Sequence, residues 1–162
     1  MDILTEKGQV SLSDEQYAAR WVEKKFGLRY IQTPKNSPAL VDAIIANKTS
    51  SEILAVVETK CRYDVVSLEQ FQTNYKNEWL VTWSKVHNAI NIATSMGVPC
   101  VGFLYLVKPK VLLMQRISEP DGKLVTEVRL STTSTQATTN GGRALRTNAF
   151  IDMKDAAIHN VR

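Results

Sequence analysis

Apolar and polar positions follow different rhythms in successive parts of this chain. From Ser13, "SDEQYAARWVEKKFG" places Tyr17, Trp21, Val22 and either Phe26 or the stem of Lys25 on one helical face. Ser13 offers an N-cap, acids fill the first turn, and Gly27 supplies the left-handed stop, so a helix is expected there. "LRYIQT" follows as a short strand and ends at the prolines of "PKNSP". "ALVDAII" and "EILAVVETK" read as the next two strands, separated by the polar "ANKTSS". The third strand is apolar at successive positions, the pattern of a strand buried on both faces.

From Ser67 the period lengthens. Leu68, Phe71, Tyr75, Trp79, Trp83, Val86, Ile90 and Ala93 recur at helical intervals up to Gly97. The strand-forming residues of "NEWLVTW" favour a break between Tyr75 and Trp83. "VPCVGFLYLV" reads as a fourth strand; an apolar run of ten residues is too short to cross a bilayer as a helix. "VLLMQRI" and "LVTEVRL" flank a Pro-Asp-Gly turn and predict a hairpin. "STTSTQATTNGGRALRTN" reads as a polar loop, "AFIDM" as a strand, and the last residues as a short helix. Three successive strands imply antiparallel neighbours, and a helical crossover implies a parallel fourth. The expected class is α/β (α+β): a mixed β-sheet flanked by helices, with an αβββαβ core and a C-terminal β-hairpin extension.

Composition changes this picture little. A chain of 162 residues suits one domain, and 44% hydrophobic with 22% charged residues suits an ordinary globule. The net charge of +4 fits an anionic partner such as nucleic acid, as it fits many other proteins. Cys61 and Cys100 form no CxxC and have no histidine at zinc-site spacing. The start lacks a basic region followed by an apolar one, so a cytoplasmic, reducing setting without membrane attachment is expected.

The chemistry concentrates at the end of the third strand. Residues two apart in a strand share a face, so Glu58 and Lys60 project together while Thr59 points away. The chain contains four acid-x-lysine pairs: Glu23/Lys25, Glu58/Lys60, Asp121/Lys123 and Asp152/Lys154. Only Glu58/Lys60 ends a strongly apolar strand. Asp42 stands inside "ALVDAII", one short connection away, and strand pairing would bring it to Glu58. Adjacent carboxylates repel, and a hard divalent cation such as Mg²⁺ or Mn²⁺ relieves the repulsion. That ion can polarise a phosphate and activate water, while an ammonium stabilises the developing charge.

Asp42, followed sixteen residues later by "ETK" on a helix–strand–strand–strand–helix–strand plan, resembles the PD-(D/E)XK nuclease superfamily. The resemblance covers Ser13 to Val107. Val41 stands where the proline of the motif would precede the aspartate, and Pro38 lies earlier. The resemblance implies a Mg²⁺-dependent nuclease acting on DNA. It implies that Asp42, Glu58 and the Thr59 carbonyl bind the ion and that Lys60 assists the attacking water. It further implies a helix-borne site acid, for which Glu15 is the first choice and Glu23 the second. Glu15 reads equally as an acid favoured by the helix dipole. Among polar residues nearby, Arg62 continues the alternation of Glu58 and Lys60, and Lys85 follows "LVTW". Arg143 and Arg146, in the glycine-containing loop, could track a phosphate backbone. His87 and His159 lack spaced partners and are not read as catalytic. A homodimer would let two sites cut two strands, but no interface is legible. The competing reading is a non-catalytic module that binds nucleic acid or a protein.

Overall fold

The computed structural model describes residues 5–34, 39–134, 142 and 144–162. Helix α1 spans Glu6–Phe26 and starts well before Ser13, because Thr5 supplies the cap: its Oγ1 accepts the Gly8 N–H at 3.1 Å. Ser13 is exposed within the helix, where its hydroxyl meets water. Gly27 ends the helix as expected, with φ at 63°.

Strands β1 (Leu28–Gln32), β2 (Ala43–Asn47) and β3 (Ile53–Arg62) form an antiparallel meander. β2 begins at Ala43, so Asp42 stands just ahead of the strand instead of inside it. The expected helical stretch resolves into α2 (Leu68–Asn74), β4 (Glu78–Thr82) and α3 (Trp83–Ser95). Lys76 and Asn77, with φ at 55° and 56°, turn the chain into β4. Trp79 and Val81 alternate inward there, so tertiary burial overrides the apparent helical period.

Strand β5 (Cys100–Leu106) pairs parallel with β3, as a crossover connection requires. Strands β6 (Val111–Ser118) and β9 (Ala157–Asn160) complete a six-stranded mixed sheet ordered β1-β2-β3-β5-β6-β9. Strands β7 (Val128–Ser134) and β8 (Leu145–Asp152) join β4 in a second sheet ordered β4-β8-β7. The C-terminal hairpin therefore exists, but it links β7 to β8. β6 has both edges taken by β5 and β9, and one bridge, Ser118 to Leu124, is what forms of the pairing expected after it. Part of the expected polar loop belongs to these strands, and the expected terminal helix is β9. Both replacements use the backbone groups that an exposed edge would leave unpaired.

The central sheet is covered on both faces. α1 packs Ala18 and Val22 against Val57, Phe103 and Tyr105. On the other face, Val56 and Leu104 meet Phe71 of α2, Trp79 of β4, Val86 of α3 and Ile151 of β8. Gly102 makes room for Trp79: a Cβ there would lie 2.1 Å from the indole Cζ3. Among the described residues no helix is long and apolar enough to cross a membrane.

Candidate active site

Val56 belongs to the core on the α3 side of the sheet, whereas Val57 and Cys61 belong to the core beneath α1. Strand alternation therefore sends Glu58 and Lys60 toward α3 and Thr59 toward α1. Glu58 is only 3% exposed, while Lys60 reaches solvent. β5 supports this segment throughout, with Glu58 opposite Gly102 and Lys60 opposite Leu104.

The other edge of β3 is different. β2 starts at Ala43, opposite Val57, so the edge beyond Val57 has no strand on it. Asp42 takes over: its Oδ2 accepts the Thr59 N–H at 2.9 Å. One further rung of the register places Asp42 opposite Glu58. The N–H and C=O of one strand residue point to the same side, so the Thr59 carbonyl faces this edge too. Thr33 anchors the corner, since its N–H and its hydroxyl both donate to the Asp42 carbonyl at 3.0 Å.

Beneath the corner, the hydroxyls of Tyr30 and Thr59 are 2.6 Å apart. Burial raises the Tyr30 pKa; the Thr59 hydrogen bond opposes the shift, and the charges of Asp42 and Glu15 add to it. Glu15 also acts on Cys61, whose thiol is pushed up to about 12 chiefly by burial. Glu15 thus lies on the α1 side of the corner. Glu23 is committed elsewhere: its Oε2 accepts the Tyr30 N–H at 3.1 Å and braces the middle of β1. Among the described residues, no three His, Cys, Asp or Glu side chains form a ready metal cage.

Glu58 and Lys60 open into a cleft of about 510 Å³ between β3, β4, the start of α3 and the start of α1. Lys85 and Arg62 line it. Arg62 is already engaged: Nε and Nη2 donate to Asp64 at 3.0 and 2.6 Å, and the guanidinium lies 4.5 Å from the Tyr75 ring centroid. That clamp, helped by the Tyr75 hydroxyl, holds Asp64 down to about 2. Arg146 lies exposed on β8, outside the cleft lining but on the same strand face as Asn148. Arg143 lies outside the described residues. His159 packs against Trp21 and Phe26, and His87 against Trp83.

The lining residues that were not anticipated include Lys7, Ser11 and Asn148. Lys7 and Ser11 are four apart on α1, a shared helical face that the later expected start at Ser13 concealed. Asn148 arrives through the second sheet, and nothing local in the sequence marks it. The result is a buried carboxylate ringed by Lys7, Lys60, Arg62 and Lys85. No protein-family model matches the chain, and no curated protein matches it.

Proposed function

We propose that this protein is a metal-dependent nuclease that hydrolyses phosphodiester bonds, in DNA in the first instance, in the manner of the PD-(D/E)XK nucleases. The observation that carries the reading is the corner itself: Asp42 is hydrogen-bonded to the peptide between Glu58 and Lys60. The donors fit Mg²⁺ or Mn²⁺, which favour carboxylate and carbonyl oxygens and retain water. Asp42, Glu58 and the Thr59 carbonyl would hold the ion, with Glu15 as an accessory acid reached from α1. The bound ion supplies Lewis-acid polarisation and a more acidic water.

This chain's own residues do the rest. Lys60 stands on the Glu58 face at the mouth of the cleft, where its ammonium orients the attacking water and stabilises negative charge on the phosphorus oxygens. The water oxygen bonds to phosphorus and gives up a proton to solvent, the bridging P–O bond breaks, and the departing oxygen takes a proton from solvent. Lys7 and Lys85 lower the cost of bringing an anionic strand to the buried Glu58.

Purified protein should nick plasmid or degrade linear, branched or single-stranded DNA with Mg²⁺ or Mn²⁺, and stop with chelator. Inactivity on every substrate of that panel with both metals would sink the proposal. One observation favours the alternative, a binding module that does not cut: an Asp42 oxygen is already occupied by the Thr59 N–H. Calorimetry with Mn²⁺ separates the two, since the binding module would show no metal affinity that depends on Glu58.

A further inference from the structure

A second cavity, of about 360 Å³, lies on the opposite flank of α3. Trp83, His87, Asn91 and Thr94 form its helical wall, and Asp121 and Leu124 of the turn after β6 face them. The Trp83 and His87 rings lie 5.5 Å apart at 51°, giving two aromatic surfaces at an angle. The opposite wall is fixed: a Cβ at Gly122 would lie 2.7 Å from Thr94 Oγ1, so the turn is seated on the helix.

α3 links the two cavities. Thr82 and Lys85 open into the cleft of Glu58, while Trp83 and His87 open into this one. Both cavities border the same helix, about 10 Å across with its side chains, so a strand lying in the cleft would pass over α3 to reach this cavity. We propose that this cavity receives a nucleobase of the strand whose phosphate lies in the cleft. This rests on the cleft being a nucleic-acid site. Indole and imidazole faces stack bases irrespective of sequence. The Asn91 amide offers a donor and an acceptor; Asp121 Oδ1 accepts the Lys123 N–H at 2.9 Å, which leaves Oδ2 as the acceptor for an exocyclic amine. The same carboxylate repels phosphate, so the base and not the backbone enters.

The test uses the full chain in chelator, so that binding is read without cleavage. The probe is an oligodeoxyadenylate only just long enough to span the two cavities, so that one register is favoured, carrying one 2-aminopurine, alongside strands with a single abasic position moved along the sequence. Wild type should quench the 2-aminopurine at one register and bind the strand abasic at that register about tenfold more weakly. His87→Ala and Asn91→Ala, both at exposed positions, should lose the quench while keeping the circular dichroism and melting temperature of wild type. Trp83→Phe, which keeps a ring, should retain most of it. Equal affinity for every abasic strand, or unchanged quenching in both alanine variants, would overturn the proposal. So would displacement of the strand by equimolar deoxyadenosine monophosphate, which would assign the cavity to a free nucleotide. A protein that binds in this way but never cuts keeps the cavity and refutes hydrolysis. One that cuts, yet is indifferent to His87 and Asn91, does the reverse.

Discussion

The carboxylate of Asp42 accepts the backbone N–H of Thr59 at 2.9 Å, and Thr59 is the residue that separates Glu58 from Lys60. Thr59 is 7% exposed, so its N–H has little access to water if Asp42 is removed. Asp42→Ala should therefore cost about 1–3 kcal/mol in urea unfolding. Asp42→Asn keeps an acceptor oxygen and should unfold close to wild type while losing cleavage about 100-fold or more. Equal stability of the alanine variant and wild type would show that the bond holds nothing.

The cations around the cleft should divide by role. Lys60→Ala should lower kcat by about 100-fold or more with little effect on strand affinity. Lys7→Ala and Lys85→Ala should instead weaken binding and reduce the salt dependence of affinity by about one ion each. Steady-state kinetics and fluorescence titrations at several salt concentrations distinguish these patterns. A Lys60 variant with wild-type kcat would remove that residue from the chemistry.

Both cysteines should be inert in the native state. Burial pushes Cys61 and Cys100 up to about 12, and acidic neighbours, Glu15 and Asp14 near Cys61 and Glu58 near Cys100, add to the shift. A raised pKa means that thiolate accumulates only as pH approaches that value, leaving roughly one part in ten thousand at pH 8. Titration with a disulfide reagent at pH 8 should be slow in buffer and should release two equivalents promptly in urea.

The Arg62–Asp64 clamp should give the fold a small acid dependence. Asp64 is held at about 2, below the ordinary carboxylate range, so its contribution is present at neutral pH and is lost as pH falls toward that value. The carboxylate is largely exposed, which limits the effect to about 1 kcal/mol or less. Urea midpoints of wild type and Asp64→Asn should differ at pH 6 and converge near pH 2.

Gly102→Ala drives a methyl group into Trp79 and should cost at least about 1–3 kcal/mol. Trp79→Phe in the same chain should recover part of that loss, read by thermal melting. An unaltered melting temperature for Gly102→Ala would show that Trp79 can give way freely.

Strand-level patterns in the sequence carried the meander, the parallel return of β5 and the shared face of Glu58 and Lys60. These depend on local burial and on period, which neighbouring residues reveal. The start of α1 was misplaced because Ser13 has the chemistry of a cap, and the actual cap, Thr5, has the same chemistry without a strong apolar repeat after it. The break between Tyr75 and Trp83 was legible in the strand-forming residues of "NEWLVTW", but the full strand β4 within it was not, because Trp79 and Trp83 also fit a helical interval. Asn148 and the seat of Trp79 on Gly102 were illegible for a different reason. Each depends on pairings between distant strands, and no periodicity within a segment encodes those.

The cleft is lined by residues from Lys7 near one end of the sequence to Asn148 near the other, with Glu58, Thr82 and Lys85 between. No contiguous fragment shorter than nearly the whole chain contains it. A polypeptide still being synthesised has the acid and the lysine of β3 long before it has β5 to hold them or β8 to wall them in. Competence therefore arrives late and all at once, and a truncation that removes β8 should abolish the site even with the entire "ETK" strand intact.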